Sequence, residues 1–278
     1  MSTITEREAT EVAAANASGK QPVVFIHGLW LLASSWNAWA ARFAEEGYAT
    51  VAVDWPGDAE SVAAARAGHH MLAGVGVQEI TDHIAEVVRS LDTKPILIGH
   101  SFGGLLVQRV ADLGLAKSAV AIDPAPFKGV LPLPASTLKA STPVLGNPAN
   151  RKRTVTLTFE QFRYGFANVV GEEEARSLYE KFHVAGPGRP LFQAASANLS
   201  SGKATKVHVK NPDRGPLLVI NGSEDHIVPT AVARAAFKLQ SKNPARTEFV
   251  EIEGRGHSLT IDAGWADVAD AALRFIRS

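Results

Sequence analysis

Along the chain, short unbroken apolar runs alternate with longer stretches in which apolar residues recur every three or four positions. The first pattern belongs to strands buried on both faces and the second to helices that bury one stripe. Their alternation predicts an α/β fold, a mostly parallel sheet with helices on both sides. Strands are expected over 23–27, 50–53, 96–99, 119–123, 217–221 and 248–252, so the sheet should hold about six. Helices are expected over 36–46, 77–91, 102–113, 230–240 and 265–276. In the second of these Val77, Ile80, Ile84, Val87, Val88 and Leu91 fall on one face.

Between 127 and 212 the alternation stops. Three helices are expected there, over 159–169, 172–182 and 190–199, with no strand separating them. The stretch opens with Pro124, Pro126, Pro132, Pro134 and Pro143, which reads as irregular connection rather than helix. The organisation that follows is a core over 21–126 and 213–278, a helical cap over 127–212 inserted before the last two strands, and a polar segment over 1–20.

Composition narrows the function classes. The 278 residues carry 28 Lys+Arg against 28 Asp+Glu, and the longest basic run is Arg151-Lys152-Arg153, too little excess positive charge for a nucleic-acid surface. Cysteine is absent, which excludes disulfides, thiolate metal sites and a Cys nucleophile. The first twenty residues lack the basic start and apolar run of a signal peptide, and no stretch approaches the roughly 20 apolar residues of a membrane span. The expectation is a soluble, cytoplasmic protein with no membrane partner. A near-neutral surface leaves the oligomeric state open.

The chemistry concentrates in Gly99-His100-Ser101-Phe102-Gly103-Gly104, between an apolar strand and a helical run. This is the G-x-S-x-G turn, in which the residues two before and two after the serine approach each other too closely for side chains. Ser101 would then stand at a helix N-terminus, where free N–H groups favour developing negative charge. A serine hydroxyl needs a base held in one tautomer by a third group. Asp225, after the strand over 217–221, and His257, within Gly254-Arg255-Gly256-His257-Ser258, supply the acid and the base. Each candidate lies just beyond the carboxyl end of a strand, where open parallel sheets place their sites. Two N–H donors should meet the carbonyl oxygen as it gains charge. Phe102 supplies one, and Leu29, after Gly28, supplies the other, with Trp30 as second choice.

These motifs resemble the α/β-hydrolase superfamily, in particular its bacterial serine esterase and cofactor-free haloperoxidase-like branch. The resemblance rests on His27-Gly28, the turn at 99–104, Asp225 before Val228-Pro229, and Gly256-His257, and it spans about 22–276. It implies a serine hydrolase that cleaves a small-molecule carboxylic ester or lactone through an acyl-enzyme, with no cofactor and no metal. A lactonase, a carbon–carbon bond hydrolase, a thioesterase or a perhydrolase would use the same three residues. A hydroxynitrile lyase and a non-catalytic ligand receptor are the readings from other classes. The sequence departs from the family in two places. Only about twenty residues precede the His-Gly strand, where a pair of strands is usual, and the D-x-P-G-x-G-x-S loop reads Asp54-Trp55-Pro56-Gly57-Asp58-Ala59-Glu60-Ser61, with Ala59 in place of Gly.

Several residues admit other roles. Asp123 ends the fourth strand and competes with Asp225 as the acid. Glu224 reads as a solvated carboxylate, His100 as packing, and His27 as a hydrogen-bonding residue that shapes the loop rather than a base. His69-His70 invites a metal reading but lacks a third ligand at suitable spacing. Phe159, Phe162 and Phe166 form a helical stripe that would dock the cap, line the pocket, or both. The pocket is expected to include Gly28, Trp30, Phe162 and Phe166, and Arg163, Arg189 and Lys203 are the charges that could select an acidic group.

Overall fold

The computed structural model describes residues 4–68 and 70–278. Strands β1 (Pro22–Ile26), β2 (Ala49–Val53), β3 (Ile96–His100) and β4 (Ser118–Ile122) come from the first half of the chain. Within the inserted stretch lie two-residue strands β5 (Thr154–Val155) and β6 (Gly186–Pro187); β7 (Leu217–Gly222) and β8 (Thr247–Ile252) follow it. The six longer strands form one parallel sheet in the order β2-β1-β3-β4-β7-β8.

The two-residue period of a strand explains why these runs are apolar throughout. Val23 and Phe25 face one side of β1 and join α2 (Asn37–Glu45) and α11 (Trp265–Arg277), with Trp39, Phe43, Val268 and Phe275 in the same cluster. Val24 and Ile26 face the other side and join α4 (Val77–Arg89), α5 (Phe102–Asp112) and α10 (Thr230–Gln240). The predicted six-stranded α/β architecture is therefore the observed one.

Three features differ from the sequence reading. The polar start of the chain forms helix α1 (Glu6–Ser18), closed by a capping box between Thr5 and Glu8. It covers the free edge of β2: Arg7 Nη2 donates to Ala52 O at 2.7 Å, Ala52 N donates to Glu11 Oε2 at 2.8 Å, and Asp54 N donates to Glu8 Oε1 at 2.9 Å. Side chains of a helix thus satisfy the backbone that further strands would otherwise pair, closing this edge.

The proline-rich opening of the insertion contains helix α6 (Ala135–Leu145). Pro134 stands at its N-cap, outside the helical ladder, Pro143 in the last turn removes only one ladder bond, and Asn150 Nδ2 donates to the carbonyl of Val144 at 3.0 Å. Finally, a strand does separate the inserted helices. β6 lies between α8 (Glu172–Phe182) and α9 (Arg189–Ala195) and pairs antiparallel with β5, ahead of α7 (Phe159–Gly165). A short helix, α3 (Val62–Arg66), follows the loop after β2.

Candidate active site

The chain runs from β1 outward to β2 and then returns to place β3 on the other side of β1. This reversal opens a crevice beyond the carboxyl ends of β1 and β3. The loop after β1 and the turn after β3 meet there.

Ser101 holds φ 57° and ψ −120°, a conformation that costs an L-residue of order 1–3 kcal/mol and persists only when its surroundings enforce it. Enforcement comes from both sides: Ser101 N donates to Ile122 O at 2.9 Å, and Ala125 N donates to Ser101 O at 2.9 Å. A side chain on Gly103 would collide with the carbonyl of Ile26, and one on Gly99 with the carbonyl of Gly103. The glycines therefore allow α5 to begin directly over β1 and β3, with the Phe102 N–H at its first turn.

His257 is fully buried, and its Nδ1 lies 2.6 Å from Asp225 Oδ2. The other carboxylate oxygen, Asp225 Oδ1, accepts from the N–H groups of Ile227 at 2.7 Å and Val228 at 2.9 Å. Asp225 is thus fixed by the turn after β7 and holds the Nδ1 proton, which leaves the lone pair on Nε2. His257 Nε2 makes no hydrogen bond among the described residues. Ring and hydroxyl are not yet joined, as is common before substrate binds.

Asp123 also reaches this cluster, with Oδ2 at 3.9 Å from His257 Nδ1. Its Oδ1 accepts from Asn221 Nδ2 at 2.8 Å and Gly222 N at 2.9 Å, while Oδ2 has no hydrogen-bond partner among the described residues. Complete burial, reinforced by the nearby charge of Asp225, pushes the Asp123 carboxyl well above the usual range. Of the two acids, the ionised, well-anchored one that touches the imidazole is Asp225.

His100 packs against His257 with ring centroids 4.5 Å apart. Burial, then the neighbouring His257, hold it well below its ordinary value, so it is neutral. His100, Asp123 and His257 offer ligand atoms spread over as much as 4.8 Å. Ligands about 2.1 Å from a shared tetrahedral zinc would lie about 3.4 Å apart. His257 Nδ1 is moreover already engaged by Asp225. His69 lies outside the described residues, and with it the His69-His70 pair.

Gly28 lies against Ser101: a Cβ there would stand 2.8 Å from Ser101 Cβ. The N–H groups of Leu29 and Phe102 have no partner among the described residues. Trp30, at φ 65°, is held by the insertion: its indole donates to Val155 O at 3.0 Å, and Val184 N donates to its carbonyl at 3.0 Å. Phe166 packs edge-on against His257 at 4.9 Å and against Trp30 at 6.0 Å. Phe162 stacks on Phe166 at 5.1 Å and continues to Tyr179 and His183. The stripe thus docks the insertion onto the core.

A cavity of about 320 Å³ opens beside Ser101. Trp30 and Phe102 line it, whereas Gly28, Phe162 and Phe166 do not. The rest of its wall comes from residues that the sequence reading missed, chiefly Phe127, Val130, Leu138, Leu191 and Ile227. Most belong to α6, α9 and the proline-rich connection, where no regular period marks an inward face. No charged side chain lines the cavity. Arg163 pairs with Glu172 at 3.2 Å and Arg189 with Glu79 at 2.6 Å, both away from it. Glu224 is exposed, as expected.

The crevice thus brings together a strained serine at a strand–turn–helix junction and, next to the neighbouring His100, a histidine paired with an aspartate. Residues 23–271 match the model of the alpha/beta hydrolase family, and the chain belongs to that family. A non-heme chloroperoxidase from Burkholderia pyrrocinia is 30% identical over 91% of this chain and 90% of its own. Among solved structures, an extracellular alpha/beta-hydrolase from a Paenibacillus species superposes with a TM-score of 0.66 at 21% identity, over 91% of this chain and 98% of its own. A monoacylglycerol lipase from Paleococcus ferrophilus gives 0.66 at 23% identity, over 91% and 93%.

Proposed function

We propose that the protein is a serine hydrolase of neutral, apolar carboxylic esters. The observation that carries this reading is the 2.6 Å bond from His257 Nδ1 to Asp225, which leaves Nε2 unpartnered among the described residues, on a ring packed against His100, the residue before Ser101. Ser101 Oγ attacks the ester carbonyl while His257 Nε2 takes its proton. Asp225 keeps the imidazole oriented and stabilises its charged form. The carbonyl oxygen, now negative, receives the N–H groups of Phe102 and Leu29 as an oxyanion hole. Leu29 rather than Trp30 fills this role, because Gly186 packs against the Trp30 nitrogen. His257 then protonates the departing alcohol, and water repeats the sequence to free the acid.

The insertion acts as the cap, and its uncharged wall selects an apolar arm of the substrate. Turnover of short p-nitrophenyl esters tests the reading. The wild type should hydrolyse them, and Ser101→Ala should lose at least about 1,000-fold in kcat. A wild type without turnover on any ester or lactone would refute it.

The chloroperoxidase relative favours one variant of this chemistry. Hydrogen peroxide, attacking the same acyl-enzyme in place of water, would release a peracid and regenerate Ser101. Peracid formation from acetate and peroxide, abolished in Ser101→Ala, is the result that distinguishes a perhydrolase from a simple esterase.

A further inference from the structure

His27, beneath the loop after β1, has no part in the steps above. The residue is 1% exposed, and both its ring nitrogens face acceptors: Nδ1 lies 2.8 Å from the Gly28 carbonyl oxygen, and Nε2 lies 2.9 Å from Asp58 Oδ2. A peptide carbonyl has no proton to give, so Nδ1 must carry one. Asp58 Oδ2 also accepts from Trp55 N at 2.6 Å, so it is placed as an acceptor for Nε2 too, which carries the other proton. A ring that donates from both nitrogens is an imidazolium. The Trp55 ring stacks on it at 5.0 Å and 24°, a face that suits a cation.

We infer that His27 is a buried imidazolium that positions the oxyanion hole, holding the Gly28 carbonyl so that the N–H of the same peptide unit, on Leu29, is aimed at the substrate oxygen. The chain has no cis peptide bonds among its described residues, so the C=O and N–H of this unit point in opposite directions. With the carbonyl drawn to His27, the N–H is turned to the far side, and Gly28 lies against Ser101, where a Cβ on it would stand 3.4 Å from Oγ. The positive ring also lies behind the peptide whose dipole meets the negative oxygen, so it favours the transition state over the uncharged ester. Burial works against the charge, but the charge and hydrogen bond of Asp58, followed by the Gly28 carbonyl, hold His27 above its ordinary value.

This inference rests on the hydrolase reading, and two measurements separate their failures. In wild type near pH 7, 15N NMR of the labelled imidazole should show protons on both ring nitrogens of His27, the resonance being assigned by its loss in His27→Gln. In steady-state kinetics on p-nitrophenyl acetate, His27→Gln should lower kcat about 100-fold and leave KM within about threefold, the pattern of a lost transition-state contact. Should that variant fail to fold, Asp58→Asn serves instead. Without the carboxylate the ring loses its proton at lower pH, so the alkaline fall of kcat should move to lower pH. A ring with one proton in an enzyme that turns over esters overturns this inference alone. So does an unchanged kcat in His27→Gln, or an unmoved pH profile in Asp58→Asn. Absence of ester turnover in wild type overturns both the inference and the reading beneath it.

Discussion

Two carboxyl groups face one imidazole, and their different surroundings assign them different work. Asp225 receives two backbone N–H bonds and touches His257, whereas the free oxygen of Asp123 faces a buried, negatively charged neighbour. Asp225→Asn should lower kcat about 10,000-fold, by presenting the wrong hydrogen-bonding partner to Nδ1. Asp123→Asn should leave kcat within about tenfold, because the amide resembles the protonated acid. The stability consequence has a definite sign. An acid whose folded pKa is raised holds its proton in the native state while the unfolded chain releases it, so stability falls as pH rises through that window. Asp123→Asn removes the penalty. Its Tm should exceed the wild type at pH 7, and the gain should shrink as pH falls toward the ordinary carboxylate range. A gain independent of pH would show that Asp123 is ionised. The Asp225–His257 pair and the strained turn at Ser101 were legible in the sequence because each residue follows a strand within a recognisable motif. Asp58 was not, since it is a single carboxylate whose partner lies 31 residues away and no spacing rule links them.

At the scale of elements, helix α1 shows how an edge is closed without another strand. Glu8 is its pivot: fully buried, it accepts from Thr5 N at 2.8 Å and Asp54 N at 2.9 Å, and its Oε1 lies 2.9 Å from His83 Nε2. Burial alone would raise the Glu8 carboxyl, but the bond and charge of His83 with two backbone N–H groups hold it below its ordinary value. Such a group adds stability above its unfolded pKa and loses it as pH falls through the folded one. Glu8→Ala should cost about 3–5 kcal/mol in denaturant unfolding at pH 7, by leaving buried donors unpaired. The difference from wild type should narrow below about pH 4. A loss under about 1 kcal/mol would mean that α1 is only loosely attached. The sequence marks this helix by the T-x-x-E capping pattern of Thr5 and Glu8, but its weak apolar stripe, Val12 and Ala15, leaves the docking on β2 to polar side chains that bind backbone groups. The sequence hid α6: proline marks a break when counted by residue, yet at an N-cap and in a last turn it leaves most of the helical ladder intact. Strands β5 and β6, with two residues each, are too short to display any period.

For the whole molecule, under the proposed function, the parallel sheet fixes where chemistry occurs and the insertion fixes what reaches it. No helix among the described residues is long and apolar enough to cross a membrane. The cavity of about 320 Å³ holds about ten non-hydrogen atoms, if each takes up about the volume of a water molecule. Along a series of p-nitrophenyl esters, kcat/KM should rise about threefold to fourfold per methylene, then fall once the cavity is full. A terminal carboxylate on the acyl chain should remove this gain, since no cation lines the wall to receive it. A flat series would mean that the apolar arm binds elsewhere. The central claim is that Ser101 becomes acylated, and the most direct test is rapid mixing with p-nitrophenyl acetate followed by intact and peptide mass analysis. The account predicts a burst of nitrophenol and a single acetyl group on the peptide that carries Ser101, with neither in Ser101→Ala. A burst that survives in Ser101→Ala, or an acetyl group found on another residue, would contradict it.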